Sequence, residues 1–291
     1  MNQLLCEIAS KDANLDSSDL KELGKVSLEA SKIGSKVLMS KYGKIRDVKS
    51  KGSGGNLVTS ADLESEQAVI QYLRKECPEI SILAEESGYI GNSDSLTWCI
   101  DPLDGTTNYA HGYPFFSTSI GLVWKKVPLL GAISAPALRE NFWGIPGVGA
   151  FCNGEKIFAS KTNSLQDSLL VTGFAYDRVK IKDNNYAEFC WLTHRTQGVR
   201  RAGAASVDLA YVACGKIDGY WERGLSAWDV AAGIPIAELA GCKICDYKGG
   251  GFDLTNGRVF ACTPSLKEPL LNELKKVQPL PEVTYGTAKY N

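Results

Sequence analysis

Histidine is scarce: His111 and His194 are the only two in 291 residues. The one close cysteine pair, Cys242-Lys243-Ile244-Cys245, therefore has neither a second pair nor a histidine nearby to complete a zinc ribbon. An excess of charge is also missing. Lys and Arg number 32 against 33 Asp and Glu, a net of −1, so the chain carries no global basic field for nucleic acid. No run approaches the ~18 consecutive apolar residues of a membrane helix. No basic stretch precedes the short apolar run at 4–9, which argues against a secretory signal. A paired disulfide framework is absent as well. The nine cysteines are odd in number, scattered and mostly set among apolar residues, as reduced core thiols are in a reducing compartment. The expected location is the cytoplasm, or an organelle stroma if a transit peptide has been removed.

What remains is an ordinary globular composition, 44% hydrophobic and 22% charged. Residues 1–15 are polar and lack sustained periodicity, the pattern of a flexible arm. Asp16-Ser17-Ser18-Asp19 offers N-caps for a helix over about 20–42. A Lys/Ser/Gly loop follows at 49–55, then a helix from about Asp62 to just before Pro78. Strand-like runs lie at 80–84, 97–100, 116–123, 129–135, 141–145 and 150–152, with a hairpin connection at 125–128. Later strands at 168–172 and 218–221 alternate with helices at 186–195, 205–214, 228–240 and 266–276. Strands and helices mix without a repeat or a long linker. The fold class is α+β or α/β, as one domain over 16–291 with halves of about 16–155 and 165–280.

The most informative stretch is Trp98-Cys99-Ile100-Asp101-Pro102-Leu103-Asp104-Gly105-Thr106-Thr107-Asn108. An apolar run delivers Asp101 to the end of a strand. Pro102 forces a turn, and Asp104 follows three residues on, so both carboxylates can aim into one space. Two such groups repel unless a cation sits between them. Oxygen-only ligands of this kind suit hard Mg²⁺. Gly105-Thr106-Thr107 can open a helix whose free N–H groups bind a phosphate. Upstream, Ala84-Glu85-Glu86-Ser87 ends another apolar run with one or two acids. Downstream, Asp229 opens a helix rich in small residues. Alone, Glu85 reads as a surface acid and Asp229 as a helix cap. The case for both depends on the Asp101 stretch.

Three further segments complete a pattern: Asn56-Leu57-Val58-Thr59-Ser60-Ala61-Asp62, Gly149-Ala150-Phe151-Cys152-Asn153-Gly154 and Tyr220-Trp221-Glu222. Together with Trp228-Asp229-Val230-Ala231, these motifs resemble those of the inositol monophosphatase family of Mg²⁺-dependent, lithium-sensitive phosphatases. They stand in the family's order over about 20–275. The resemblance implies a layered αβαβα sandwich of the sugar-phosphatase type, usually dimeric. It implies two or three Mg²⁺ ions held by Glu85, Asp101, Asp104, Asp229 and the Leu103 carbonyl. Asp62 and Thr106 would orient and deprotonate the attacking water, with Glu85 in the catalytic set. Substrate would meet Gly105, Thr106, Thr107, Gly203, Ala204, Ala205, Glu222 and Asp229.

The implied enzyme is a phosphoric monoester hydrolase acting on inositol monophosphate. Histidinol phosphate, fructose 1,6-bisphosphate and 3′-phosphoadenosine 5′-phosphate are the alternatives on the same fold. A regulatory, protein-binding member of the family is the reading from a different class. The implied partners are a small phosphorylated polyol or sugar and a second copy of the chain, with no nucleic acid and no membrane. Two histidines give little support to a covalent phosphohistidine, and His111 reads as a structural loop residue.

The sequence also departs from the family pattern. Asn56 stands where many members carry Asp, which bears on a mobile third metal. Ala204 stands where the animal inositol enzymes carry a Thr whose hydroxyl approaches the polyol, a departure that loosens the expected inositol preference. Arg200-Arg201 admits two readings, a surface or dimer-interface pair or a contact to a second phosphate. Lys49 and Lys51 belong either to a solvated loop or, for Lys51, to a flap that reaches a phosphate.

Overall fold

The computed structural model describes residues 2–44, 48–50, 57–91 and 96–278. Asn56 and Lys51 lie outside them. The chain begins with α1 (Asn2–Glu7), which runs into a π-helical turn over Ile8–Asp12. Leu5, Ala9 and Ala13 are buried, and Ala9 joins the cluster of Leu20, Val26 and Ala30. The segment expected to be a flexible arm is thus packed and helical. Apolar residues spaced by four give it one face to bury, a signal too short to stand out among its polar neighbours.

Asp16 then caps α2 (Ser17–Lys41), accepting from the Ser18 and Asp19 N–H groups, while Asp19 accepts from Asp16 in return. β1 (Val48–Ser50) and β2 (Leu57–Thr59) form an antiparallel ribbon, so Lys49 sits in a strand and not in a loop. α3 (Ser60–Glu76) follows, then β3 (Ser81–Ala84), β4 (Gly88–Ile90), β5 (Leu96–Asp104) and the short α4 (Thr106–Ala110). A meander of β6 (Ser117–Trp124), β7 (Val127–Ala135), β8 (Glu140–Ile145), β9 (Gly149–Cys152) and β10 (Glu155–Lys156) comes next. Beyond it lie β11 (Leu169–Thr172), α5 (Tyr186–Thr193), β12 (Gly198–Arg200), α6 (Ala205–Ala213) and β13 (Gly219–Arg223). The chain continues through α7 (Ala227–Val230), α8 (Gly233–Leu239), β14 (Lys243–Cys245), β15 (Arg258–Cys262) and α9 (Lys267–Leu274).

Two sheets carry the architecture. The larger runs β10-β9-β8-β7-β6-β5-β3-β4 and the smaller β12-β11-β13-β15-β14. One apolar cluster joins α2 and α3 to the outer face of the large sheet through Leu20, Val69, Leu73, Trp98 and Ile120. A second fills the space between the sheets, where Leu209, Val212, Ile234 and Ile236 of α6 and α8 meet Ile133, Phe142, Tyr220 and Val259. A third covers the far face of the small sheet with Leu192, Leu270 and Leu271 against Leu170, Trp221 and Phe260. The layers are therefore α, β, α, β, α. Among the described residues no helix is long and apolar enough to cross a membrane.

The middle layer lies unusually close to the large sheet. Gly121, Gly131 and Gly144 are direct cross-strand partners on β6, β7 and β8. A Cβ on Gly121 would stand 2.6 Å from the Ala231 carbonyl carbon, and one on Gly131 2.4 Å from the Ala232 Cα. This row of missing side chains forms a trough that receives the backbone between α7 and α8. The sequence pattern reads 228–240 as one helix, but the structure breaks it. Pro235 has no N–H to give the Ala231 carbonyl, so α7 ends before α8 begins.

Candidate active site

The site begins where two parallel strands end together. β3 and β5 pair in parallel with Ala84 opposite Ile100, and the Glu85 N–H donates to the Ile100 carbonyl at 3.2 Å. Glu85, just past the end of β3, and Asp101, on β5, therefore stand side by side. Glu66 of α3 fixes the turn that follows, accepting from the Glu86 N–H at 2.8 Å and the Ser87 hydroxyl at 2.5 Å.

β5 does not stop at Asp101, as the proline had implied. It continues to Asp104, which pairs with Ser117 across a register shift. Pro102 and Leu103 form the irregularity, since proline cannot donate to a ladder. The Pro102 carbonyl accepts instead from the Ser65 and Thr118 hydroxyls, at 3.0 and 3.2 Å. The kink sends Asp101, the Leu103 backbone and Asp104 into one cavity of about 390 Å³. Gly105 then turns the chain with φ +88°, where a Cβ would also stand 2.9 Å from the Phe115 carbonyl oxygen. α4 starts immediately after it, so the first N–H groups of α4 have no intrahelical acceptor.

Glu85, Asp101, Leu103, Asp104, Gly105, Thr106, Thr107, Gly203, Ala204, Ala205, Glu222 and Asp229 all line this cavity. Asp62 stands one layer behind. It is fully buried, accepts from the Thr59 N–H and hydroxyl through Oδ2, and lies 3.2 Å from the Thr106 hydroxyl through Oδ1. That hydroxyl is also 3.0 Å from the Leu103 carbonyl. Asp229 is held by the same device as Asp62. Each is the third residue of a capping box, with one oxygen on a backbone N–H three residues earlier, Ser226 at 2.6 Å in the case of Asp229. Asp104 is held across the fold, by the Ala205 and Ser206 N–H groups at 3.2 and 2.8 Å and the Ser206 hydroxyl at 2.6 Å.

Burial, followed by the charges of Glu85, Asp104 and Asp229, pushes Asp101 well above the usual carboxylate range. Burial and then Asp104 do the same to Asp229. Burial also raises Asp104, against the pull of its donors from Ser206 and Ala205. Among the described residues no three acids, histidines or cysteines are gathered into ready coordination geometry, so the carboxylates ring the cavity and do not meet at a point. Four acids crowded around one buried cavity are nevertheless what a hard divalent cation would relieve. The donors are all oxygen, as Mg²⁺ requires.

Several lining residues escaped the sequence reading. Gly173, Phe174, Ala175, Tyr176 and Arg178 form the wall after β11, and Ser226 and Trp228 flank Asp229. The available signal was topological. β11 and β13 are parallel, so the residue after Thr172 must emerge beside Trp221-Glu222. The missing side chain at Gly173 leaves room for the Glu222 carboxylate, which would stand 2.1 Å from a Cβ there. Of the open pair, Arg201 lines the cavity and Arg200 does not. His111 is exposed at the end of α4, away from the cavity.

Burial pushes the Glu222 carboxyl up to about 7, with Asp104 adding to it while Tyr220 and Arg201 oppose it. A carboxyl raised on folding favours the folded state at low pH and loses that contribution as pH rises through its folded value. Glu222→Gln keeps an acceptor for the Tyr220 hydroxyl, now 2.7 Å from Oε2. The stability of the variant relative to the parent should therefore rise by about 3 kcal/mol between roughly pH 4.5 and 8. Urea denaturation in EDTA across that range is the measurement. A constant difference would contradict the assignment.

Residues 19–278 match the model of the Inositol monophosphatase family. The chain is 46% identical over 258 residues to an inositol-1-monophosphatase of Synechocystis sp., covering 88% of this chain and 90% of that protein. It is 39% identical over 228 residues to the Nus factor SuhB of Pasteurella multocida, covering 78% of this chain and 84% of that protein. The solved structure of an inositol monophosphatase from Anabaena (Nostoc) sp. matches with a TM-score of 0.83 and 48% identity, over 90% of this chain and 98% of that one.

Proposed function

Because the chain belongs to the inositol monophosphatase family, we propose that it hydrolyses inositol monophosphate or a similar small polyol phosphate with Mg²⁺. The observation that carries this reading is the bulged end of β5, which turns Asp101 and Asp104 into the same cavity as Glu85 and Asp229. These acids and the Leu103 carbonyl would hold two or three Mg²⁺ ions. When bound, Mg²⁺ offsets the charge of the phosphate ester and makes water more acidic.

The chain's own residues do the rest. Thr106 orients the attacking water and passes its proton toward Asp62, whose other oxygen is fixed by Thr59. The backbone of Gly105, Thr106 and Thr107 binds phosphate oxygens at the start of α4. Glu222 accepts from substrate hydroxyls, and Gly203, Ala204 and Ala205 shape the polyol side. The protein would work as a homodimer in the cytoplasm or an organelle stroma. Identity to a Nus factor favours a second reading, a protein-binding role. The presence of Asp62 and Thr106 beside the complete acid set supports catalysis.

Phosphate release from inositol 1-phosphate, histidinol phosphate, fructose 1,6-bisphosphate and 3′-phosphoadenosine 5′-phosphate tests the proposal. At least one should be hydrolysed in Mg²⁺, the rate should vanish in EDTA, and millimolar lithium should inhibit it. Undiminished activity in EDTA would sink the metal mechanism.

A further inference from the structure

The cavity is acidic at its base, yet two guanidinium groups also line it: Arg201, next after β12, and Arg178, in the segment after β11. Arg201 lies over Gly203, its Nη1 only 2.4 Å from where a Cβ would be. It acts electrostatically on Glu222 and on Asp208, a carboxyl 2% exposed whose Oδ2 has no hydrogen-bond partner among the described residues. The Arg178 guanidinium makes one hydrogen bond among the described residues, from Nη1 to the Ala175 carbonyl at 3.2 Å. Arg195, Arg223 and Arg258 each pair with a carboxylate, whereas Arg178 and Arg201 form no ion pair among the described residues.

An arginine fork presents five donors suited to planar or tetrahedral anions. Two forks without an ion pair beside a bound phosphate ester would gain more from a second anion than from the neutral hydroxyls of a polyol. Ala204, in the cavity wall near Arg201, adds no hydroxyl for a polyol. Glu222, on which Arg201 acts electrostatically, forms no ion pair with either guanidinium group among the described residues.

We propose that Arg201 and Arg178 make this site select small phosphate monoesters that carry a second anionic group, phosphate or carboxylate, gripped by the two guanidinium groups. This rests on the phosphatase reading above. It gives Arg201 the second-anion role and removes Arg200 from it.

The test compares kcat and KM for inositol 1-phosphate, fructose 1,6-bisphosphate and 6-phosphogluconate, which carry no second anion, a second phosphate and a carboxylate. The parent protein should prefer one or both of the doubly anionic substrates, and which one identifies the second group. Arg201→Ala should lower that preference, as a ratio of kcat/KM values, at least tenfold and mainly through KM. Arg178→Ala should act in the same direction. Arg201→Lys should recover only part, because an ammonium lacks the fork. A uniform loss on all three substrates, with or without dissociation of a dimer in light scattering, would overturn the proposal and make Arg201 a scaffold or interface residue. An unchanged preference would overturn it too. A parent protein that hydrolyses none of these esters, nor those named above, would instead refute the phosphatase reading on which the proposal stands.

Discussion

Asp101→Asn is expected to abolish phosphate release while stabilising the protein held in EDTA. Asp101 is 2% exposed and its charge is opposed by burial and by three neighbouring acids. Its Oδ1 accepts from the Leu103 N–H at 3.0 Å, and an asparagine oxygen can keep that bond. The substitution therefore removes one of four mutually repelling charges with little change of shape. Asp101 is raised on folding, so the parent loses stability as pH climbs through its folded value and the variant does not. The gain should be about 1–2 kcal/mol at mildly alkaline pH and should disappear below roughly pH 4.

Mg²⁺ should reverse the order. The parent gains stability from every ion that binds its folded form, and the variant, lacking a carboxylate, gains less. Loss of activity should exceed about a thousandfold, or roughly 4 kcal/mol of transition-state stabilisation. Thermal melts with EDTA or Mg²⁺, beside initial rates, give both readouts. A variant that is active, or less stable than the parent in EDTA at alkaline pH, would contradict the crowded-acid account.

Gly131→Ala should damage the enzyme through the backbone between α7 and α8, which the large sheet receives. The new Cβ would meet the Ala232 Cα at 2.4 Å and its carbonyl oxygen at 2.7 Å, and backbone cannot swing aside as a side chain can. Overpacking of this kind costs about 1–3 kcal/mol, or a melting temperature lower by roughly 3–8 °C. Asp229 lies three residues before Ala232, so activity should fall further than stability alone explains. Gly250→Ala is the control, because a Cβ there meets nothing within 4 Å. Equal melting temperatures for the two variants would show that the trough tolerates a methyl group.

The chemistry was legible in the sequence because it is local. Asp101 and Asp104 stand three residues apart, and the segment from Asp101 to Asn108 needs no distant partner to be recognised. The break between α7 and α8 was equally visible in Pro235, but the run of small apolar residues around it masked the signal. Gly121, Gly131 and Gly144 carry no message as isolated letters. Their meaning depends on strand register, which makes them neighbours. The wall formed by 173–178 was hidden for a similar reason. Its residues reach the site only because β11 lies parallel to β13, a pairing 49 residues apart in the chain. The N-terminal helix failed on length, since three buried residues are too few to outweigh a polar composition.

The hydrogen bonds to Asp104 cross the whole molecule. Its donors are 101 and 102 residues further along, on the element that joins the two sheets. Asp62 and Asp229, by contrast, are set by their own helix starts, three residues away. The site thus tells a finished molecule from an unfinished one. A chain whose halves have not closed on each other can already possess two of its acids in place, but not the one between them. Competence is in this sense a quality check on assembly, built into a carboxylate whose donors lie in the other half of the chain.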